Sequence, residues 1–228
     1  MSLGKLSALQ VEVLAALARV PGWVLTGGAA LAGWHLAHRE TRDLDLFFRG
    51  LREHEPLTIA ALERALGESG VRTTPEVRSV AFVRYLLTKG AEQVVLDLVA
   101  EPVPAIEEAE SHPIGDTLVH IDSAREILCN KLNALVSRSE LRDLVDVKAL
   151  LATGLSFEDA LTHAAQKDSG FSPIVLQHVL ATFPIALHMR RSGASTAEVT
   201  ELERFAHDLA RQAARSAFVD TRRPPDSP

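Results

Sequence analysis

The chain has 228 residues, of which 46% are hydrophobic and 24% are charged, and its formal net charge at pH 7 is −6. This composition is that of an ordinary globular protein and excludes a disordered or fibrous chain, while the negative charge leaves only a local basic patch for binding RNA. The single cysteine, Cys129, excludes an intramolecular disulfide framework, and no secretory signal pattern begins the chain, so we expect a protein of the reducing cytoplasm.

Helical and strand patterns alternate in the first half of the chain. In chain order we predict a helix, a strand, a helix, a strand, a helix and three strands, at 6–18, 23–26, 29–37, 43–48, 58–66, 71–74, 80–87 and 93–99. Gly27-Gly28 is predicted to form a tight turn after the first strand, and Lys89-Gly90 a hairpin turn. The most apolar stretch, 23–37, is shorter than the roughly 20 residues of a membrane helix, which argues against a membrane protein.

Helical patterns dominate the second half. We place a domain boundary in the segment 102–116, which contains Pro and Glu and has little periodicity. Helices follow, the first capped by Asp122 or Ser123, and the others at 139–151, after Ser156, at 174–181 and at 196–218. The predicted fold class is α+β, with a small mixed β-sheet core flanked by helices and followed by a C-terminal helical bundle. The predicted domains are a core over 1–103, a helical domain over 104–220 and a flexible tail over 221–228.

Two aspartates on one strand are the first candidate functional residues. Asp43 and Asp45 are two residues apart, so both carboxylates lie on the same face of the strand and can reach one divalent cation. Magnesium takes such oxygen ligands and commonly bridges carboxylates to the phosphates of a substrate. The alternative is a pair of solvated acids on an edge strand, and the Asp-x-Asp pattern by itself does not decide between the two.

A glycine pair between a strand and a helix is the second candidate. Backbone N–H groups at the start of a helix favour a phosphate, and glycine lets that phosphate approach closely, although Gly27-Gly28 also suits a purely structural turn. The ordered combination of Gly27-Gly28, a helix, Asp43 and Asp45 favours a site for a metal-bound nucleoside triphosphate.

These residues carry a resemblance. The stretch LTGGAALAGWHLAHRETRDLDLFF, residues 25–48, resembles the opening motif of the DNA polymerase β-like nucleotidyltransferase superfamily. More narrowly, it is similar to the AbiEii/AbiGii toxin family, in which a glycine pair is followed by a helix, a His-Arg dipeptide, Ser or Thr, and Asp-x-Asp. His38, Arg39 and Thr41 occupy the intermediate places. The segments KLNALVSR and RDLVD, residues 131–138 and 142–146, are similar to a second family block of Lys, Arg and a closing Asp.

The resemblance implies a role for each matching residue. Asp43 and Asp45 are expected to hold Mg2+ or Mn2+, and Gly27, Gly28, Arg39, Thr41 and Lys131 to bind the nucleotide. Two alternatives stay open: Arg39 can pair with an aspartate instead of a phosphate, and the Lys131 ammonium can extend to water. Asp97 stands where the superfamily often has a third carboxylate, so the resemblance implies that it is a metal ligand or a general base. The alternative is that Asp97 faces solvent on the opposite side of its apolar strand. Asp143 is the closing acid and a catalytic candidate. Arg142 and Asp146, four residues apart on one helix, are predicted to form only a surface ion pair.

The implied reaction is the transfer of a nucleoside monophosphate from an NTP to an acceptor hydroxyl. The family further implies an RNA 3′ end as acceptor, such as that of tRNA, and a toxin with a cognate antitoxin. Two alternatives remain open: transfer to a small molecule or a protein side chain, and a nucleotide-binding module without catalytic activity.

Overall fold

The computed structural model describes residues 3–220, and for 218–220 only the backbone. The tail predicted at 221–228 lies outside these residues. The described chain divides into two compact units, the first ending at Ile127 and the second beginning at Leu128. The predicted boundary at 103/104 lies within the first unit, because two strands that the sequence did not indicate follow it and complete the sheet.

Seven strands of the described chain form one mixed sheet in the first unit. In chain order they are β1 (Val24–Thr26), β2 (Asp43–Arg49), β3 (Arg72–Arg78), β4 (Phe82–Lys89), β5 (Glu92–Glu101), β6 (Glu110–Ile114) and β7 (Thr117–Ile121). Their order across the sheet is β3-β4-β5-β2-β1-β7-β6. β2 is parallel to β5 and β1 is parallel to β7, whereas the other neighbours are antiparallel. β2 therefore lies in the middle of the sheet.

The alternation of residues in β2 sets its two faces. Leu44, Leu46 and Phe48 are at most 2% exposed and belong to the core, whereas Asp43 and Asp45 on the other face are half-buried. Two helices, α1 (Ala8–Leu17) and α3 (Pro56–Glu68), contact each other, and each also packs on strands of the sheet. The core therefore lies on the leucine face of β2, and the aspartates lie on the opposite face.

The helix that begins at the glycine pair is not a regular α-helix. It consists of a short α2 (Gly27–Ala30) and a π-helical turn (Leu31–His35), in which the amides of Leu36 and Ala37 both donate to the Leu31 carbonyl. The neighbouring carbonyl of Ala32 accepts a hydrogen bond of 2.9 Å from the Lys5 amide. The N-terminal segment of the chain thus forms a hydrogen bond with the π-helical turn. Helical periodicity in the sequence did not indicate this π-helical turn.

The β6–β7 hairpin was missed because its sequence lacks strand alternation. Pro113 lies within β6. A central strand does not tolerate proline, but β6 is at the edge of the sheet. Leu25 of β1 pairs with Ile121 of β7, and this long-range pairing joins the hairpin to the rest of the sheet. The segment 102–116, in which the sequence analysis placed the domain boundary, therefore contains the edge strand β6.

The second unit consists of helices, as predicted. They are most of α4 (Ala124–Arg138), which begins in the first unit, followed by α5 (Leu141–Leu151), α6 (Phe157–Lys167), α7 (Pro173–Thr182), α8 (Ile185–Arg191) and α9 (Thr196–Asp220). Serine caps start four of these helices: the hydroxyls of Ser123, Ser156, Ser172 and Ser195 accept from the amides of Glu126, Asp159, Val175 and Glu198, respectively. The fold class is confirmed. Over residues 3–220, no helix is both long enough and apolar enough to span a bilayer.

Candidate active site

The glycine turn and the Asp-x-Asp strand meet at Gly27. This residue has a φ of +65°, a conformation that L-amino acids rarely adopt, and it lies where β1 ends and α2 begins. Thr26 of β1 pairs with Asp45 of β2, which brings the aspartate next to the turn. A β-carbon at Gly27 would collide with Oδ2 of Asp45. The Asp45 carboxylate therefore lies directly on the glycine backbone, and a larger residue would displace it.

The second glycine packs against the loop between the π-helical turn and β2. A β-carbon at Gly28 would lie 3.1 Å from Arg39 Nη2 and 3.1 Å from Thr41 Oγ1. The loop is anchored to α1, because the buried Gln10 donates from Nε2 to the Thr41 carbonyl at 3.2 Å. The structure thus brings Gly27, Gly28, Arg39 and Thr41 together with Asp45.

Asp97 lies on the same face of the sheet as the other two aspartates. β2 and β5 are parallel neighbours, and their register pairs Asp45 with Asp97. Paired residues on adjacent strands point to the same face. The alternative that Asp97 faces the opposite side of the sheet is therefore excluded. Asp97 is 7% exposed, more buried than Asp43 or Asp45.

An arginine that sequence reasoning did not single out binds Asp97. Arg84 of β4 pairs with Asp97 in the strand register and donates from Nε to Oδ1 at 2.7 Å and from Nη2 to Oδ2 at 2.6 Å. These bonds to Asp97, together with the nearby charges of Asp97 and Asp43, raise the pKa of Arg84 above its ordinary value despite partial burial. In the sequence, Arg84 is one of the half-exposed residues that alternate with buried ones along β4. That pattern shows its face but not its partner on β5.

Asp43, Asp45 and Asp97 do not form a ready-made cage for a metal ion. Among residues 3–220, no group of three or more His, Cys, Asp or Glu side chains is arranged to hold an ion without rearrangement. Asp43 and Asp45 nevertheless provide two carboxylates on one face of β2, and the glycine turn leaves Asp45 without a neighbouring side chain at position 27. Such oxygen donors fit Mg2+, which keeps several waters and needs only one or two protein carboxylates. A metal-binding role for Asp97 stays a prediction.

The second family block forms a buried ionic network in the second unit. The Lys131 ammonium contacts Asp143 Oδ1 at 2.7 Å and Asp146 Oδ2 at 2.9 Å, and Arg138 donates to both oxygens of Asp143, at 2.8 and 3.0 Å. Burial opposes these charged forms, but the two aspartates raise the pKa of Lys131, and the two cations hold the pKa of Asp143 below its usual value.

The prediction that Asp146 belongs only to a surface ion pair was wrong. Asp146 is fully buried, as is Asp143, because both lie on the face of α5 that enters the core of the second unit. Four-residue spacing showed only that Asp146 and Arg142 are neighbours on a helix, not which face of that helix is covered. Lys131 is also buried, which agrees with its position on the apolar stripe of α4.

Comparison with known proteins identifies the family. The sequence matches the family described as the nucleotidyl transferase AbiEii toxin of type IV toxin–antitoxin systems over residues 12–226. The chain belongs to this family. This match confirms the AbiEii resemblance of the sequence motifs. The protein is a toxin of a nucleotidyltransferase family. Because the family belongs to toxin–antitoxin systems, it implies an antitoxin partner. No curated protein matches the sequence significantly.

Two solved structures share the fold of this AbiEii-family protein. JHP933 from Helicobacter pylori is 18% identical, with a TM-score of 0.54, and the alignment covers 93% of this chain and 94% of that one. MenT4, a nucleotidyltransferase toxin from Mycobacterium tuberculosis, is 14% identical, with a TM-score of 0.60, and the alignment covers 92% of this chain and 85% of that one. The nucleotidyltransferase fold therefore extends over both units.

One further polar cluster in the AbiEii-family protein was not predicted. Arg49 at the end of β2 contacts Asp122 at 2.5 Å and Glu126 at 2.8 Å, and both acids are almost fully buried. Burial raises the pKa of Asp122. Arg49 and Asp122 also line a cavity of about 560 Å³ whose wall includes Pro102, Pro104 and Ile106. The sequence assigned Asp122 only a capping role, which Ser123 fulfils instead.

Proposed function

We propose that this protein transfers a nucleoside monophosphate from an NTP to the 3′-hydroxyl of an RNA, such as a tRNA, with Mg2+ or Mn2+ as the metal cofactor. The observation that carries the proposal is the contact between Gly27 and Asp45, which joins a phosphate-binding turn to a metal-binding carboxylate. Arg39 and Thr41, which lie against Gly28, add a guanidinium and a hydroxyl that suit a triphosphate. We further propose that the reaction takes place in the cytoplasm, where a cognate antitoxin controls it.

The reaction requires three things of the chain. The turn at Gly27-Gly28 begins α2, whose first backbone amides suit the phosphates, and glycine at both positions leaves room for the side chains of Asp45, Arg39 and Thr41. Asp43 and Asp45 would hold the cation, which would supply charge neutralisation at the phosphates. The acceptor oxygen forms a bond to the α-phosphorus, the bond from that phosphorus to the bridging oxygen of the β-phosphate breaks, and pyrophosphate leaves.

Asp97 is the candidate to receive the proton of the acceptor hydroxyl. It pairs with Asp45 across β2 and β5, so it stands next to the metal ligands on the face where the acceptor must approach. A general base must be within hydrogen-bond reach of the proton that it removes, and a carboxylate fixed beside the cation meets that requirement when the acceptor binds there. The roles of Lys131 and Asp143 stay predictions of the family motif.

A labelling experiment tests the proposal. The purified protein is incubated with each of the four α-labelled NTPs, Mg2+ and total RNA, and the products are separated by size. We expect labelled RNA with the wild type and none with Asp45→Asn. Asp116→Asn is the matched control, because it makes the same chemical change at an exposed position in the β6–β7 turn. A synthetic RNA that ends in a 3′-phosphate should not be labelled, since it lacks the attacking hydroxyl.

The same experiment separates the alternatives. Label in a small hydroxyl compound or in protein, with none in RNA, would replace the proposed acceptor while retaining the transfer reaction. Magnesium-dependent binding of NTP without any labelled product from any acceptor would favour a non-catalytic binding module. Equal labelling of RNA by the wild type and Asp45→Asn would contradict the proposed metal site.

A further inference from the structure

Arg84 is a charged group within the candidate site that neither the family motifs nor the proposed reaction explains. Its guanidinium binds both oxygens of Asp97, at 2.7 and 2.6 Å, in the side-on geometry that uses Nε and one Nη atom. The Arg84 side chain is nevertheless 41% exposed, and its guanidinium lies 5.7 Å from the centre of the Phe82 ring. Arg84 therefore covers one side of Asp97 while remaining accessible from solvent.

The contact restricts what the Asp97 carboxylate can do. An ionised carboxylate has about four lone-pair sites on its two oxygens, and the arginine fork occupies one on each oxygen. Two parallel hydrogen bonds also fix the plane of the carboxylate, which a single bond would leave free to rotate. The remaining lone pairs are available only in directions that Arg84 does not cover.

The contact also changes the charge of the site. Asp43, Asp45 and Asp97 lie on one face of two adjacent strands, so three negative charges are close together before a cation binds. Like charges on neighbouring positions of a sheet are destabilising. The guanidinium of Arg84 offsets one of them permanently, and its electrostatic interaction extends to Asp43.

We infer that Arg84 is a positioning residue of the nucleotidyl-transfer site, which holds Asp97 in one orientation beside Asp45 and limits the negative charge that a divalent cation meets. This inference rests on the proposed function. It assigns Arg84 no contact with the nucleotide, so its loss should lower kcat rather than raise KM for the NTP. The loss of a positive charge should at the same time strengthen the binding of a divalent cation.

Three variants test this role. Arg84→Met removes the charge and the fork, and Arg84→Lys keeps the charge without the fork. Arg72→Met is the matched control. Arg72 is exposed and pairs with Thr88, which lies on the same face of β4 as Arg84. We measure kcat and KM for the NTP, the affinity for Mn2+ by electron paramagnetic resonance without nucleotide, and the melting temperature of each protein.

The expected pattern is specific to positioning. For Arg84→Met, kcat should fall at least about tenfold with little change in KM, since a misplaced group costs up to roughly a hundredfold. Its Mn2+ affinity should rise at the same time. Arg84→Lys should keep the Mn2+ affinity of the wild type and recover part of kcat, and Arg72→Met should match the wild type in every measurement.

Several results would overturn the inference. An unchanged kcat in Arg84→Met, or a higher KM with unchanged kcat, would mean that Arg84 is structural or contacts the nucleotide. If Arg84→Met does not fold, Arg84→Lys decides the question. A kcat and a melting temperature of Arg84→Lys that both equal those of the wild type would show that the two-bond contact with Asp97 is not needed for the reaction, and would overturn the inference. If the wild type itself transfers no nucleotide, the proposed function fails, and equal Mn2+ affinities of the wild type and Arg84→Met would then reject the role of Arg84 separately.

Discussion

Two ionic groups, one in each unit, carry the motifs that the sequence shares with its family, and their physical states differ. In the first unit, Asp43, Asp45 and Gly27 of the glycine turn are half-buried. In the second unit, Lys131, Asp143 and Asp146 are all buried, and the Lys131 ammonium contacts the two aspartates at 2.7 and 2.9 Å. The first group has the exposure that a ligand site needs, whereas the second is closed by its own ion pairs.

This difference shows that motif residues need not contribute to the protein in the same way. A buried lysine between two carboxylates is stable only while both partners remain, because an unpaired charge in the interior is costly. A half-buried aspartate keeps part of its hydration, so we expect Asp45 to contribute less to stability than the buried network does. Mutations should therefore separate a network on which folding depends from a site on which activity depends.

The largest effect on folding is expected from Lys131→Met. This change leaves Asp143 and Asp146 buried without their shared cation, and we expect the free energy of unfolding to fall by about 3–5 kcal/mol. The measurement is denaturant unfolding followed by circular dichroism. Lys148→Met is the matched control, since Lys148 pairs with the exposed Glu201 and its loss should change stability little. Equal effects of the two variants would contradict the comparison.

A smaller effect on folding, with a loss of activity, is expected from Gly27→Ala. Its φ of +65° costs a side chain about 1–2 kcal/mol. The added carbon would also displace Asp45. Gly90→Ala is a close control, because Gly90 has a φ of +60° and no atom near its missing β-carbon. Both variants should lose similar stability, and only Gly27→Ala should lose nucleotidyl transfer. Full transfer by Gly27→Ala would show that the turn tolerates a displaced Asp45.

The pH dependence of stability should report on Asp143 in the buried network. Its pKa is lowered in the folded state from the ordinary value of 3.8, so the unfolded chain takes up the proton first as the pH falls. The stability that Asp143 provides is therefore present above that value and is lost as the pH falls through the lowered folded-state pKa. Unfolding measured between about pH 5 and pH 3 should show a smaller loss for Asp143→Asn than for the wild type. Parallel curves would contradict the shift.

The smallest effect on folding is expected from Asp45→Asn. Asp45 is half-buried and lies beside two other aspartates, so we expect its free energy of unfolding to remain within about 1 kcal/mol of the wild type. The same variant should abolish nucleotidyl transfer. A large loss of stability would place Asp45 with the structural network and would remove the contrast between the two regions.

Local sequence patterns were enough to predict several secondary-structure elements and the position of the Asp-x-Asp strand and the glycine turn. Alternation placed Asp43 and Asp45 on one strand face, and a strand followed by two glycines and a helix located the turn at Gly27. The hairpin at Lys89-Gly90 and the cap at Ser156 also agree with the structure. Each of these features depends on residues close together in the chain, whose preferences are set by backbone geometry and side-chain periodicity.

Tertiary structure alone decided the partners of these residues. The binding of Arg84 to Asp97 follows from the register of β4 and β5, and the pairing of Asp97 with Asp45 joins strands that are separated by two others in sequence. The burial of Asp146 and the addition of β6 and β7 to the sheet likewise depend on packing between distant segments. Strand register and helix packing are set by the whole core, so no local pattern contains them.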